Sequence, residues 1–167
     1  MLINEQKDFP LDSIPLSTLF IILIICLVLS AYFSGSETGL LSLNKYRLRF
    51  LSEQGNKGAK KAEKLLEKPD TLLSFILIFN NLVNISASAI ATVIGMRLYG
   101  DAGVAIATGL LTFVMLVFSE IFPKTVAAMH AEKVSFFSSH ILTSLLKIFY
   151  PLVWLMNIFT KSLMQDR

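Results

Sequence analysis

Three long stretches of this chain contain no charged residue, and this feature constrains the fold more than any other. The stretches cover residues 13–36, 71–96 and 102–119. A transmembrane helix needs about 17 to 25 mostly apolar residues, whereas a surface helix of a soluble protein carries charge on its solvent-facing side. Only 16% of the 167 residues are charged, against roughly 25% in an average soluble protein. The pattern argues against soluble, disordered, fibrous and nucleic-acid-binding proteins. It predicts an all-α integral membrane domain over residues 14–160, with three transmembrane helices at about 14–36, 71–96 and 102–122.

The positively charged residues indicate the orientation of these helices. Residues 37–70, between the first two stretches, hold more than half of the fifteen lysines and arginines. Loops rich in lysine and arginine stay in the cytoplasm, so we expect residues 1–13 to form a polar tail outside. The side on which residues 161–167 lie depends on the number of spans. The basic loop is predicted to form a cytoplasmic helical hairpin, with helices from Asn44 to Gln54 and from about Lys57 to Lys68. Its charges either bind anionic headgroups or only fix the topology, and the second interpretation is favoured.

Residues 134–160 are open to two interpretations. Lys147 interrupts an otherwise uncharged segment, and Pro151 cannot donate a helical hydrogen bond. Each half is too short to cross about 30 Å of hydrocarbon. The aromatic residues of this segment suit a kinked juxtamembrane helix over about 131–160 that lies partly along the membrane. The alternative is a fourth span whose Lys147 ammonium reaches the interface.

Neutral polar residues repeat at four-residue spacing inside the predicted spans. The first helix carries Ser30, Ser34 and Thr38, the second Asn80, Asn84 and Ser88, and the third Thr108 and Thr112, followed by Ser119 and Glu120. Polar groups are costly inside a membrane and mark ion pathways there. A single carboxylate among amide and hydroxyl oxygens suits magnesium or calcium better than zinc or copper. The alternative is that these side chains only form interhelical hydrogen bonds, worth roughly 0.6 kcal/mol each.

Small residues and a proline add to this prediction. Gly35 and Gly39 would let the first helix unwind or let another backbone approach it closely. Pro123 lacks an N–H, which leaves one carbonyl of the third helix without its usual donor, and such carbonyls are tolerated where they line a cavity or bind an ion. A small-residue stripe in the second helix, formed by Ala87, Ala91 and Gly95, suits close helix packing, either within the chain or across a dimer axis.

The motifs of common enzymes are lacking. The sequence has no phosphate-binding glycine loop, no His-Glu-x-x-His and no nucleophile elbow. His130 and His140 are isolated, and the single cysteine, Cys26, lies within the first apolar stretch. We therefore expect a membrane protein that is not an enzyme.

Three motifs together resemble a known family. They are Phe-Ser-Gly-Ser-Glu-Thr-Gly-Leu at 33–40, Lys-Pro-Asp at 68–70 leading into Asn-Asn-Leu-Val-Asn at 80–84, and Ser-Glu-Ile-Phe-Pro-Lys-Thr at 119–125. In this order, and with the basic loop between the first two helices, they resemble the transmembrane domain of the cyclin M and CorB/CorC magnesium transporters. The resemblance covers about residues 16–160.

The resemblance implies a homodimer in the plasma membrane, with three transmembrane helices and a belt-like juxtamembrane helix in each protomer. It thus favours three spans over four and implies an N-terminus outside and residues 161–167 inside. It further implies a dehydrated Mg²⁺ in an inward-facing cavity of each protomer. Carried over by motif, the ligands would be Ser34, Asn80, Asn84, Glu120 and the carbonyl of Gly35. The residues expected to shape the cavity or support the ligands are Ser36, Glu37, Ser88, Thr112, Ser119 and Pro123. Export of magnesium driven by sodium is the implied activity, although the sequence shows no separate sodium site.

Members of the family continue into a cytoplasmic pair of CBS modules that binds ATP, whereas this sequence stops at Arg167. We expect the chain to be a transmembrane fragment or a short member, with no ATP site of its own. Two other functions stay open: a magnesium-sensing membrane anchor, and a proton-coupled transporter that uses Glu37 and Glu120 as relay carboxylates. Neutral amides do not titrate, so the polar lining favours ion coordination over a proton relay.

Overall fold

The computed structural model describes residues 13–164, and within this range the chain is entirely helical. The described range includes only Ser13 of the N-terminal tail (residues 1–13) and residues 161–164 of the C-terminal end (residues 161–167). The elements are α1 (Leu16–Leu41), α2 (Lys45–Glu53), α3 (Lys57–Leu66), α4 (Pro69–Tyr99), α5 (Asp101–Val114), a π-helix (Met115–Ile121), α6 (Phe122–Met129), α7 (Ala131–Ile148) and α8 (Tyr150–Met164).

Three helices are long and apolar enough to cross a membrane, which confirms the predicted number of continuous spans. They are Leu16–Leu41, Pro69–Tyr99 and Asp101–Met129, the last made of α5, the π-helix and α6. Each extends beyond its predicted charge-free stretch. The first span continues through Gly35 and Gly39 as regular α-helix, so these glycines do not unwind it. Gly39 instead permits close packing, because a Cβ there would lie 3.0 Å from Ser135 Oγ of α7.

The second and third spans are held together by a contact between two glycines. Gly100, with φ of +63°, makes the turn between α4 and α5. Gly95 and Gly103 then face each other, and a Cβ on either would overlap the carbonyl oxygen of the other. The stripe of small residues that ends at Gly95 is buried against α5. It therefore packs within the chain.

The two short helices after α1 begin at asparagine caps. Asn44 Oδ1 accepts hydrogen bonds from the amides of Tyr46 and Arg47 at 3.0 and 3.2 Å, and Asn56 caps α3 in the same way. Gly55, with φ of +91°, makes the connection between α2 and α3. The small residues of α3 pack closely on α7, which fixes this pair of helices against the membrane spans.

The segment after the third span is bent. Helices α7 and α8 meet at an angle of 82° around Phe149. The missing N–H of Pro151 removes the hydrogen bond that a continuous helix would make to the Lys147 carbonyl. By length and composition, the pair is either a broken fourth span or a structure that does not cross. Helix α7 packs on α1 and α3 through Ser135, Ser138, Ser139 and Leu142, which are all buried.

The glycine contact generates a prediction about stability. Replacing Gly103 by alanine should destabilise the domain by about 1 to 3 kcal/mol, because the added methyl overlaps the Gly95 carbonyl and forces α4 and α5 apart. Thermal unfolding in detergent measures the loss. Gly109→Ala on the same helix is the matched control, because its Cβ would meet no atom within 4 Å. Equal melting temperatures for the two variants would contradict this packing.

Candidate cation site

A polar cluster centred on Asn80 joins all three spans. Asn80 Oδ1 accepts a hydrogen bond from Ser30 Oγ at 3.1 Å, and its Nδ2 donates long bonds of 3.5 Å to Ser34 Oγ and Glu120 Oε1. Ser30 and Ser34 stand one turn apart on α1 and are fully buried. Asn80 is about 16 Å along α4 from its first residue, Pro69. The cluster therefore lies well inside the bilayer if α4 spans it.

Glu120 belongs to the π-helix Met115–Ile121. At the end of this segment, the amide of Phe122 bonds to the carbonyl of Val117, five residues back, instead of four. Pro123 follows at once and contributes no donor. Because Pro123 has no N–H, this turn has one main-chain donor fewer than a regular helix, and π-helical segments are frequent at functional sites.

The π-helix is held against the first span by Ser119. Its hydroxyl is fully buried and donates to the carbonyl oxygen of Leu27 at 3.1 Å. Because Glu120 is the next residue, this bond fixes the main chain that carries the carboxylate.

The Glu120 carboxylate has a different partner on each oxygen. Oε1 accepts from Asn80, and Oε2 lies 3.1 Å from the ammonium of Lys124, one turn further along. The side chain of Glu120 is 27% exposed and that of Lys124 is 46% exposed. The cluster thus contains one negative charge, balanced in this structure by one positive charge.

Asn84 supplies an unsatisfied acceptor beside this cluster. It follows Asn80 by one turn of α4, which places both amides on the same face. Its Oδ1 is buried and has no hydrogen-bond partner within the described chain. A buried acceptor without a partner costs about 1 to 3 kcal/mol, and a cation ligated by this oxygen would remove that cost.

Gly35 lies on a different side of α1. Together with Pro123, it lines an apolar groove of about 480 Å³ whose other walls include Tyr32, Phe122 and Phe137. A Cβ at Gly35 would be 3.5 Å from the Pro123 carbonyl oxygen, an ordinary contact. Gly35 adjoins Ser34 in the chain, and no side-chain hydrogen bond of the described residues joins it to Asn80 or Glu120.

Four further predicted residues also lie apart from the cluster. The hydroxyl of Ser36 donates to the Tyr32 carbonyl and lies 2.9 Å from Ser138 Oγ, so it links α1 to α7. Glu37 is half-buried and has no ion pair in the described range. Ser88 and Thr112 are exposed in the single chain, and the Thr112 hydroxyl bonds to the Thr108 carbonyl of its own helix.

Two residues of the cluster were not among the site residues expected from the sequence. Ser30 belongs to the four-residue series of α1, and that spacing could have included it. Lys124 follows Glu120 by four residues, which is the spacing of a helical ion pair. In the sequence, Pro123 is the only feature that indicates a change of helix type at Met115–Ile121.

The donor set restricts the kinds of ion that fit. Among residues 13–164 no three His, Cys, Asp or Glu side chains come together. Zinc and copper sites are built mainly from histidine and cysteine, whereas one carboxylate with hydroxyl and amide oxygens matches the ligands of magnesium and calcium. The chemistry of these side chains therefore fits a hard cation better than zinc or copper.

Comparison with known proteins supplies an independent line of evidence. Residues 21–166 match the family model described as the cyclin M transmembrane N-terminal domain. A UPF0053 protein of Haemophilus influenzae is 99% identical over 155 residues, which are 93% of this chain and 37% of that protein. The UPF0053 inner membrane protein YfjD of Escherichia coli is 63% identical over 137 residues, 82% of this chain and 32% of that protein. The chain thus spans about a third of the length of these relatives.

The central position of Asn80 generates a prediction. Asn80→Ala should lower the stability of the ion-free domain by about 1 kcal/mol, because the Ser30 hydroxyl loses its acceptor inside the bundle. The measurement is thermal unfolding in detergent with a chelator present. The neighbouring Asn81 is exposed, so Asn81→Ala is the matched control and should leave the melting temperature unchanged. If Asn81→Ala were the more damaging change, the cluster would not be the interhelical link described above.

Proposed function

The chain belongs to the cyclin M transmembrane-domain family, and we propose that it carries Mg²⁺ across the membrane through the polar cluster of its three spans. Family membership supports a membrane transport role in general. The choice of a hard cation is carried by one observation: Glu120, a single carboxylate, lies 3.5 Å from the Asn80 amide, which also contacts the Ser34 hydroxyl. The choice of magnesium over calcium rests on the family resemblance.

In the proposed mechanism, the ion loses water in exchange for protein oxygens. The ligands are Ser34, Asn80, Asn84 and Glu120, and the Gly35 carbonyl would join them after a rearrangement of α1. Mg²⁺ needs six oxygens at about 2.0 to 2.1 Å, so side chains from three helices must approach closer than the 3.5 Å bonds around Asn80. The unsatisfied Oδ1 of Asn84 supports this closure, because this oxygen would bind the cation without losing a hydrogen bond.

The direction and setting of transport complete the proposal. The ion enters an inward-facing cavity and is exported with sodium influx as the driving force. The protein works as a homodimer in the plasma membrane, with the N-terminus outside and the C-terminus in the cytoplasm. A pair of CBS modules that binds ATP follows in the full-length protein, whereas the residues described above provide transport and no catalysis.

Binding is testable on the purified chain. Mg²⁺ should raise its melting temperature, with a stabilisation of about 2.7 kcal/mol at one hundred times the dissociation constant. Glu120→Ala and Asn84→Ala should abolish this effect, since they remove the charge and a neutral ligand. The control Asn81→Ala removes an amide from an exposed position of the same helix and should retain the stabilisation by Mg²⁺. Equal stabilisation of the wild type and both site variants by Mg²⁺ would refute the assigned ligands.

Transport is testable with the full-length protein in liposomes. We expect Mg²⁺ flux that depends on an opposing sodium gradient and that Glu120→Gln eliminates, because glutamine keeps the shape of the side chain but removes its charge. An internal fluorescent magnesium indicator measures the rate. Glu120-dependent binding in a protein that gives no flux would instead favour a magnesium-sensing membrane anchor.

A further inference from the structure

Lys124 lies against the proposed ligand Glu120. The distance from its Nζ to Glu120 Oε2 is 3.1 Å, while the other carboxylate oxygen faces Asn80 of the second span. The lysine therefore meets the carboxylate oxygen that the polar cluster leaves uncovered. No other cation forms an ion pair with this carboxylate in the described part of the chain.

We propose that Lys124 is a tethered competitor for the transported ion: its ammonium neutralises Glu120 in the ion-free protein, and Mg²⁺ must displace it to bind. This inference rests on the proposed function and names a residue that sets the affinity of the site.

The position of the carboxylate distinguishes this pair from an ordinary surface ion pair. Exposed lysine and glutamate side chains four residues apart on a helix contribute little to stability. Glu120, in contrast, is about three-quarters covered and stands in the π-helix at the meeting point of three spans. A carboxylate at membrane depth is costly without a counter-charge, so the ion-free protein requires a cation there, and Lys124 supplies one.

Mg²⁺ and the ammonium compete for the same carboxylate. A ligated Mg²⁺ would sit about 2.0 to 2.1 Å from a carboxylate oxygen, while the Lys124 ammonium lies 3.1 Å from Oε2, and two positive charges held on one carboxylate in a poorly hydrated site repel each other. Lys124 can withdraw, because its side chain is nearly half exposed and its four-carbon stem is flexible. Binding of the ion therefore moves the lysine outward, and release of the ion returns it.

This exchange has a consequence for transport. The lysine weakens Mg²⁺ binding by the free energy of the ion pair that must be broken, and it stabilises the site after the ion has left. A site with one carboxylate and a returning ammonium is therefore electrically balanced when empty. Release becomes easier at the expense of affinity.

The test is a Mg²⁺ titration of the purified chain, followed by isothermal calorimetry and by thermal unfolding. Lys124→Gln should bind Mg²⁺ about tenfold more tightly than the wild type, as expected for removal of a competing interaction of about 1.4 kcal/mol. Lys124→Arg keeps the positive charge and should retain the weaker affinity. Lys133→Gln is the matched control: it removes one lysine from an exposed position of α7 and should leave the dissociation constant unchanged.

The results of this titration distinguish a failure of the Lys124 inference from a failure of the proposed function. If Lys124→Gln binds Mg²⁺ as the wild type does, or more weakly, Lys124 does not compete and this inference is wrong while the proposed function stands. Equal tightening by Lys133→Gln would assign the effect to net charge and would also overturn it. If the wild type shows no Glu120-dependent Mg²⁺ binding, the proposed function and this inference fail together. Circular dichroism and size-exclusion profiles identify a misfolded variant, and Lys124→Met then replaces Lys124→Gln in the comparison.

Discussion

The structure depends on the cost of a polar group inside a membrane, where no water replaces a missing hydrogen bond. The polar side chains of the spans meet this cost in two ways. Several hydroxyls bond to a carbonyl of their own helix four residues back: Ser86, Thr92, Thr108, Thr112 and Thr125. Ser30, Ser119 and Asn80 instead bond to a different span. Of these two groups, the second links one span to another, and the candidate site lies where its bonds meet.

This division explains what could be predicted from the sequence. Spans can be predicted because charge is excluded from them, and the caps at Asn44 and Asn56 follow from local chemistry. The four-residue spacing of hydroxyls is the same whether they bond within their own helix or across to another. Spacing alone therefore did not distinguish Thr112 from Ser34, although the structure leaves the first on the outside and buries the second; only the motif resemblance separated them.

Three other features depended on tertiary packing and had weak local signals. The π-helix inserts a wider turn just before Pro123, and its position depends on the bond from Ser119 to α1. The small residues at Gly95 and Gly103 bring the second and third spans into backbone contact, and the spacing alone allowed packing within a chain or between chains. The break near Pro151 was anticipated, yet its angle of 82° depends on how α7 packs against α1 and α3.

The cost of a charged group inside the membrane also limits how strongly the proposed site could hold an ion. Adding a second carboxylate would strengthen cation binding, but the empty site would then carry two charges that the membrane disfavours. A site made only of neutral oxygens would cost less when empty and would offer a divalent ion no counter-charge. Glu120 paired with Lys124 lies between these limits, because the charge is available to an ion yet is neutralised without one. The unsatisfied Oδ1 of Asn84 acts in the opposite sense, since it favours the occupied state. In the proposed mechanism, Lys124 opposes the ion and Asn84 favours it, and the balance between these two residues would set the affinity with which a carrier binds on one side and releases on the other.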